Sequence, residues 1–212
     1  MDPLERINVE GDSTYMLMLE GCRRGGEVAW CTPQDLFAIS GRCHAHCSSV
    51  RVSLEAPFFD CDDPRDRDVS EFDVVWLRKD PPFDINYVFS TYMLDLVSND
   101  TLVLNHPASI RDANEKMVAL RFPELVPSTL VTLDIDRALR WIEKAPSKVV
   151  IKPWDGNGGR GVLVTEKGDG NLRSMLELLT EEGQTHILVQ QFVPEISQGD
   201  KRIILINGEP RG

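Results

Sequence analysis

The sequence predicts an α/β fold in which a domain built on a parallel sheet is followed by a smaller α+β unit. Through the first half of the chain, apolar patterns of helical spacing alternate with short apolar strands, an order that is typical of βαβ units. Residues 126–193 follow a different order, strand, helix, strand, loop, strand, helix, strand, and the loop is dense in glycine. These two observations predict the fold class.

The composition limits the classes of function. Of the 212 residues, 42% are hydrophobic, which is enough for a buried core. The net charge of −11 argues against sequence-independent binding of nucleic acid. The sequence has no run of about 18 apolar residues and no basic-then-apolar start, so we expect no membrane-spanning helix. Five cysteines, an odd number, favour a reducing compartment and hence the cytoplasm.

The first two helices are predicted from caps and apolar spacing. Asp12 or Ser13 caps a helix that ends at Gly25-Gly26. Asp84 caps the second, in which apolar side chains recur at helical spacing, so we expect them to pack into the core. The side chains concerned are Ile85, Val88, Phe89, Tyr92 and Leu96.

A third helix is predicted to begin with Ser109 as its cap and to end before Pro123. The strands of this half are short apolar runs. The predicted elements are a helix over 13–24, strands over 27–31, 48–54 and 72–77, a helix over 84–97, a strand over 101–105 and a helix over 107–122.

Cys43, His44, His46 and Cys47 are ligand types that zinc prefers. Their spacing is poor for a structural site, which usually separates two ligand pairs by a dozen residues or more. The flanking residues alternate like a strand, so the cysteines would face one side and the histidines the other. We therefore favour ordinary strand side chains over a zinc site. The charged run over 61–68 is predicted to be a solvated surface loop.

A second charged run, Arg-Lys-Asp-Pro-Pro-Phe-Asp, directly follows the predicted strand over 72–77. In open α/β sheets, ligands bind just beyond the carboxyl ends of strands. Two cations and a carboxylate beside a rigid Pro-Pro pair suit an acidic or zwitterionic substrate. The alternative is a turn with solvated charges. Arg78, Lys79 and Asp80 are thus candidate substrate-binding residues.

The second half contains the glycine-dense loop, over 156–161, between two β-branched runs. Glycines allow positive φ and bring backbone N–H groups close to an anion, and Lys152 places a point charge beside them. We therefore expect a loop that closes on nucleotide phosphates. The predicted elements are strands over 126–132, 149–152, 162–165, 186–193 and 203–206, helices over 134–144 and 171–182, and a turn at Asn207-Gly208.

Other phosphate-binding loops fit less well. The loop matches G-x-G-x-x-G in letters, but a strand follows it where a dinucleotide-binding fold requires a helix. The loop is not a Walker A motif, because no Gly-Lys-Ser/Thr follows it. In protein kinases the phosphate-binding lysine lies on the strand after the glycine-rich loop, whereas Lys152 precedes the loop, so a kinase fits poorly. An ordinary glycine-rich hairpin is the remaining alternative.

Four short motifs follow one another along the chain: residues 114–116, Lys152 with its glycine loop, Gln190-Gln191-Phe192-Val193-Pro194, and residues 200–202. This order resembles the ATP-grasp superfamily. Within it, the chain resembles the bacterial type of glutathione synthetase over essentially all 212 residues. The closer resemblance rests on Met1-Asp2-Pro3 and on the runs over 77–84, 111–116 and 199–202.

The resemblance implies ATP-dependent ligation of γ-glutamylcysteine to glycine through an acyl phosphate, giving glutathione, ADP and phosphate. It implies ATP and Mg²⁺, small-molecule substrates and a homo-oligomer, with neither nucleic acid nor membrane as a partner. The implied catalytic residues are Lys152 and Arg202, the latter favoured over Lys201. The implied ATP-binding residues are Lys116, Lys152, Gly156, Asn157, Gly158, Gly159, Gln190, Gln191, Val193 and Asp200.

The resemblance also implies a Rossmann-like pre-ATP-grasp domain over 1–113, an ATP-grasp lid domain over 114–193 and the start of a C-terminal ATP-grasp domain over 194–212. On this comparison, a first strand would precede Met1, and the metal ligands would lie beyond Gly212. We accordingly expect this stretch to be inactive alone. Two alternatives remain: an ATP-grasp ligase for another acid and amine, and a non-catalytic nucleotide-binding module. A zinc or redox module is a more distant third.

Overall fold

The computed structural model describes residues 1–156 and 158–211. It divides into two compact units, Met1–Asn114 and Glu115–Gly212. The N-terminal unit contains the helices α1 (Ser13–Arg23), α2 (Ile85–Leu94) and α3 (Pro107–Asp112) and the strands β1 (Ala29–Trp30), β2 (Leu36–Ile39), β3 (Arg42–Val52), β4 (Phe59–Cys61), β5 (Arg65–Asp68), β6 (Val74–Trp76) and β7 (Leu102–Leu104).

The long strand β3 organises the N-terminal unit, because β1, β2, β4 and β5 all pair with it in antiparallel register. Its side chains alternate as the sequence predicts. Cys43 and Cys47 are buried, whereas His44 and His46 lie on the other face. The separation of the cysteines from the histidines is therefore confirmed.

The charged run over 61–68 is not the loop that the sequence predicts. Its second half forms β5, which pairs with residues 44–47 of β3. The charged side chains are accommodated because several of them have polar or oppositely charged partners nearby. Asp66 lies 2.7 Å from His46 Nδ1, and Arg67 reaches Glu27 at 2.6 Å. The charged sequence therefore gave no sign of this strand, in which Asp66, Arg67 and Asp68 each have a polar partner.

Parallel pairing occurs between β6 and β7, which align Val75 with Val103. Both strands lie where the sequence predicts strands, although each is shorter than predicted. The sheets thus include both parallel and antiparallel pairs. The β6–β7 pair places the charged run over 78–84 directly after the carboxyl end of β6.

Helix α2 has Asp84 as its N-cap, accepting from the Tyr87 N–H at 2.9 Å, as predicted. The predicted buried face is wrong. Phe89 and Tyr92 are 55% and 50% exposed, and Ile85 and Leu96 are exposed as well. The helix buries Ser90, Thr91 and Leu94 instead. Its sequence is apolar on most sides, so apolar spacing does not identify the face that packs.

The helix predicted over 107–122 is two helices, α3 and α4 (Glu115–Ala119). Ala113 leaves helical geometry at φ −106° and ψ 65° and ends α3. The predicted cap is also wrong: His106 is the N-cap, and Pro107 occupies the first turn, where its missing N–H costs nothing. The interruption falls at the boundary between the two compact units.

The C-terminal unit matches the predicted order closely. After α4 come β8 (Thr129–Thr132), α5 (Ile135–Glu143), β9 (Val149–Pro153), β10 (Leu163–Thr165), α6 (Leu172–Leu179), β11 (Ile187–Gln191), β12 (Leu205–Ile206) and β13 (Glu209–Pro210).

An antiparallel sheet in the order β10-β9-β11-β8 forms the centre of this unit. One face packs against α5 and α6, where Ile151, Val189, Ile142 and Leu176 are fully buried together. Alternation along the strands sends their intervening residues to the opposite face. Lys152 and Gln190 lie on that opposite face, so a rigid apolar layer supports it.

The prediction that residues 203–206 form a buried strand is wrong about the burial. Leu205 and Ile206 pair with Glu209 and Pro210, and residues 203–206 are all more than half exposed. The predicted turn is confirmed, because Asn207 and Gly208 both adopt positive φ, as a two-residue hairpin requires. Across residues 1–156 and 158–211, no helix combines the length and the apolar character that crossing a membrane demands.

Candidate functional site

The Lys152 side chain lies on the face of the central sheet opposite α5 and α6. Its Nζ donates to Gln190 Oε1 at 2.9 Å. Gln190 lies on the neighbouring strand β11, two residues beyond Leu188, the direct partner of Lys152. The two side chains therefore share one face at diagonal positions, which long side chains can bridge. The structure brings these two predicted ATP-binding residues together.

Burial lowers the pKa of Lys152 from its ordinary value, and the positive charge of Lys116 lowers it further, while Glu115 acts in the opposite direction. A half-buried ammonium close to another cation is electrostatically unfavourable without a counter-ion. An anion that binds between the two amines relieves both effects. The C-terminal unit therefore offers a local cationic site in a chain of net charge −11.

Lys116 contacts the glycine loop. Its Nζ donates to the Gly156 carbonyl at 2.6 Å and to Glu115 Oε1 at 2.9 Å. The Lys116 side chain is only 14% exposed, although Lys116 lies on the short surface helix α4. The Lys116 amine thus links α4 to the start of the glycine loop.

The loop begins and ends against the ring of Pro153. A Cβ on Gly156 would lie 2.5 Å from Pro153 Cγ, and one on Gly161 would lie 3.2 Å from the same ring. These glycines are therefore required by close packing. Gly158 and Gly159 differ, since both adopt positive φ with open space around them. Asn157, a predicted ATP-binding residue, lies outside the described residues.

Two predicted contacts to the adenine edge lie at the end of β11. The Gln191 N–H is used inside the unit, because it donates to the Ser128 carbonyl at 2.9 Å. The Val193 carbonyl accepts from the Ile196 N–H at 3.2 Å. The Val193 N–H has no hydrogen-bond partner within residues 1–156 and 158–211. It is the donor in this segment that a flat heterocycle could use.

Asp200, Lys201 and Arg202 lie in an exposed segment between Gly199 and β12. Within the described ranges, no hydrogen bond or ion pair connects their side chains to other residues. The structure does not bring the predicted ribose ligand Asp200 or the predicted catalytic Arg202 into contact with Lys152. Their roles remain predictions.

The N-terminal unit contains a separate cavity of about 160 Å³ at the ends of α1 and β6. Arg78 lines it and is positioned by α1: its Nη2 donates to Ser13 Oγ at 2.8 Å and its Nε to Thr14 Oγ1 at 3.2 Å. The cavity is lined by Met1, Asp2, Arg6, Ile7, Asp12, Thr14, Arg78 and Asp80.

Lys79 is not among the residues that line this cavity. Its Nζ pairs with Asp2 Oδ1 at 2.8 Å and also donates to the Asp80 carbonyl. Burial opposes ionisation of Asp2, but hydrogen bonds from Lys79 and from the Asp80 N–H outweigh it and lower the Asp2 pKa. Lys79 therefore holds Asp2 and Asp80 in place, while Arg78 and Asp80 line the cavity.

The cysteine and histidine side chains over 43–47 are engaged in packing and hydrogen bonds within the N-terminal unit. His44 stacks on Phe37 with the ring centroids 5.4 Å apart, and burial raises the pKa of Cys43 to about 11. In the part of the chain that the structure describes, no group of three or more His, Cys, Asp or Glu side chains is arranged to hold a metal ion.

Sequence reasoning missed two contributors to the site. Thr129 hydrogen-bonds to Gln190, and Pro153 packs against the loop glycines. Pro153 could have been noticed, because it separates Lys152 from the loop. Thr129 could not, because its position depends on the register of β8 against β11.

Family models match both units. Residues 1–111 match the model described as "Prokaryotic glutathione synthetase, N-terminal domain". Residues 115–212 match "Prokaryotic glutathione synthetase, ATP-grasp domain". The boundary between the matched ranges coincides with the interruption between α3 and α4.

Among solved structures, the chain resembles D-alanyl-alanine synthetase A from Vibrio cholerae, with a TM-score of 0.51, 16% identity, and coverage of 93% of this chain and 59% of that one. It also resembles a RimK domain ATP-grasp protein from Sphaerobacter thermophilus, with a TM-score of 0.50, 21% identity, and coverage of 87% and 61%. At these identities the likeness shows the fold, that of ATP-grasp ligases.

Curated relatives are more similar in sequence. The chain is 41% identical to the glutathione synthetase of Bradyrhizobium diazoefficiens, covering 100% of this chain and 68% of the relative. It is 37% identical to that of Escherichia coli K12, covering 99% and 67%. The chain thus spans about two thirds of the length of these relatives. Two matched family models and this level of identity place the chain in the prokaryotic glutathione synthetase family.

Proposed function

We propose that this protein takes part in the ATP-dependent ligation of γ-glutamylcysteine to glycine, which yields glutathione, ADP and phosphate. The observation that carries the proposal is the convergence of Lys116 and Lys152 beside a glycine loop in a unit that belongs to this family. ATP-grasp ligases use ATP together with Mg²⁺. The proposal includes both, with Mg²⁺ neutralising charge on the phosphates.

A carboxylate is a poor electrophile, so the proposal uses ATP to activate the cysteinyl carboxylate. The carboxylate oxygen attacks the γ-phosphorus, ADP leaves, and an acyl phosphate forms. The amine of glycine then attacks the acyl carbon, loses a proton and expels phosphate. In this scheme the ammonium groups of Lys116 and Lys152 hold phosphate oxygens, and loop N–H groups complete the cradle.

The remaining predicted roles belong to the same proposal. The Val193 N–H donates to the adenine edge, Asp200 accepts from the ribose hydroxyls, and Arg202 faces the phosphoryl group that is transferred. The division at residue 194 between a lid segment and the segment that follows it belongs to the same proposal. The protein is cytoplasmic, which is supported by cysteines that are free thiols. Homo-oligomer formation is supported by the exposed apolar face of α2.

The test is ADP release by the protein at its full natural length. We expect release with γ-glutamylcysteine and glycine together, and little when another amine replaces glycine. Release only with a different acid and amine would contradict the proposed substrates and leave the ligase class intact. No ADP release with any such pair would contradict the proposed ligase function.

For the acid substrate, we propose the cavity at the ends of α1 and β6. Arg6 and Arg78 provide cations, and Asp2, Asp12 and Asp80 provide carboxylates. Groups of both signs in one small cavity complement an amino acid head group, which carries an ammonium and a carboxylate. The γ-glutamyl end of γ-glutamylcysteine has this chemistry.

Replacing Arg78 by methionine tests this assignment. We expect Arg78→Met to raise the KM for γ-glutamylcysteine about tenfold, because a charge-assisted hydrogen bond is lost. The KM for ATP should not change. Arg65→Met, at an exposed position of β5, is the matched control. A normal KM for γ-glutamylcysteine in Arg78→Met would exclude Arg78 from the substrate site.

A further inference from the structure

A row of polar side chains crosses three strands of the central sheet and ends at Lys152. Lys152 on β9 donates to Gln190 Oε1 at 2.9 Å, and Gln190 Nε2 on β11 donates to Thr129 Oγ1 at 2.7 Å. Thr129, at the start of β8, donates from its hydroxyl to the Pro127 carbonyl at 2.7 Å. Gln190 and Thr129 are direct cross-strand partners.

The direction of this row is fixed from its far end. A backbone carbonyl such as that of Pro127 can only accept, so the single hydroxyl proton of Thr129 is committed to it. The Thr129 oxygen is then an acceptor for the neighbouring amide. An acceptor at that place requires the NH₂ group of Gln190, so the Gln190 oxygen must point toward Lys152.

The opposite orientation of the amide would present NH₂ to the Lys152 ammonium, donor against donor. We propose that Thr129 and Gln190 are positioning residues that fix the Lys152 ammonium for phosphate binding. Among the described residues, one of its three donors is committed to Gln190, which leaves two for an anion. Gln190 thus acts through Lys152, whereas the family resemblance implies that it contacts ATP itself.

The partial burial of these groups makes the orientation of the Gln190 amide important for the charge of Lys152. Lys152, Gln190 and Thr129 are all partly buried, so a misdirected amide is not readily rescued by water. Lys116 adds a repulsive charge to Lys152, and Glu115 an attractive one. The Gln190 oxygen is the neutral acceptor that favours the charged form of Lys152.

The test compares Thr129→Val, which keeps the shape but removes the hydroxyl, with Thr129→Ser, which restores it. In the ligand-free protein, NMR of the Lys152 side chain measures its pKa. We expect Thr129→Val to lower this pKa further, because the amide is no longer forced to present its oxygen. Thr129→Ser should leave it at the parent value.

The matched control is Thr165→Val on β10. Thr165 is also a threonine of the same sheet, and its hydroxyl donates to Asp169 Oδ2 at 2.9 Å. This variant also removes a threonine hydroxyl from the sheet, and among the described residues no hydrogen bond joins Thr165 to Lys152. A loss of stability alone would therefore appear in both valine variants, whereas the change in the Lys152 pKa should appear only in Thr129→Val.

Titration with ADP is the second readout, and it rests on the proposed function. We expect Thr129→Val to raise the Kd about fivefold, the effect of one lost hydrogen bond. Thr129→Ser and Thr165→Val should bind like the parent. If the parent binds no ADP, the proposed function fails, and the Lys152 pKa still decides the positioning role. An unchanged Lys152 pKa in Thr129→Val would overturn the proposal.

Discussion

Lys152→Met is expected to weaken ATP binding by about 10- to 100-fold, the loss of a charge-assisted phosphate contact. Methionine keeps the length and apolar stem of lysine but cannot donate to an anion. Calorimetric titration with ATP measures the effect. Lys167→Met, at an exposed turn after β10, is the control and should bind like the parent.

The same substitution should change the free energy of unfolding at pH 7 by less than about 1 kcal/mol, because the lost hydrogen bond and the removed charge act in opposite directions. The pKa of Lys152 is lower in the folded chain than its ordinary 10.5. Between these values the unfolded chain binds more protons, so the Lys152 contribution to stability is unfavourable at pH 7 and improves as pH rises through that window.

Denaturant unfolding of the parent and of Lys152→Met across this pH window measures the difference. We expect the parent to gain stability relative to the variant as pH rises through the folded pKa of Lys152. An affinity for ATP equal to that of the parent would exclude Lys152 from the phosphate site. A steep loss of stability at pH 7 would instead show that Lys152 is mainly structural.

Gly156→Ala is expected to weaken nucleotide binding about tenfold, although it adds one methyl group. The new Cβ would lie 2.5 Å from Pro153 Cγ, whereas ordinary contacts are 3.4–4 Å. The Pro153 ring cannot yield easily, since Pro153 belongs to β9 and pairs with Ile187 of β11. The loop must therefore move at the residue whose carbonyl contacts Lys116.

Gly170→Ala is the matched control, because a Cβ there meets no atom within 4 Å and its φ is not positive. Both variants are titrated with ADP and compared in thermal unfolding. Gly170→Ala should bind like the parent. If Gly156→Ala also binds normally, close packing against Pro153 does not set the loop position.

The sequence predicted the C-terminal unit well, because its signals are local. The β-branched run over 149–151 and the glycines after it define strand, loop and strand without reference to distant residues. The apolar faces of α5 and α6 are distinct, and their helices pack as expected.

The N-terminal unit was harder to predict, because its decisive interactions are between distant residues. The strand at Arg65–Asp68 exists because β3 is long enough to pair with a charged edge. The buried face of α2 is chosen by its neighbours, not by a helix that is apolar on most sides. The spacing of residues along the chain predicts neither this strand nor the buried face of α2.

The candidate site shows the same limit. Lys116, Lys152 and the loop are recognisable from a motif, and the structure brings them together. The Thr129–Gln190 row depends on the register of β8, β11 and β9, which no local pattern specifies. Packing of Gly156 on Pro153 likewise depends on how the loop returns to the end of β9.

The face of the central sheet that bears Lys152, together with the glycine loop, is the proposed binding site for the phosphates of ATP. Amide NMR during titration of the chain with ATP tests it most directly. We expect saturable shifts centred on Gly158, Gly159 and Val193, and in Lys152→Met the same shifts should require about 10- to 100-fold more ATP. Saturable shifts confined to the N-terminal unit, or no shifts at all, would contradict it.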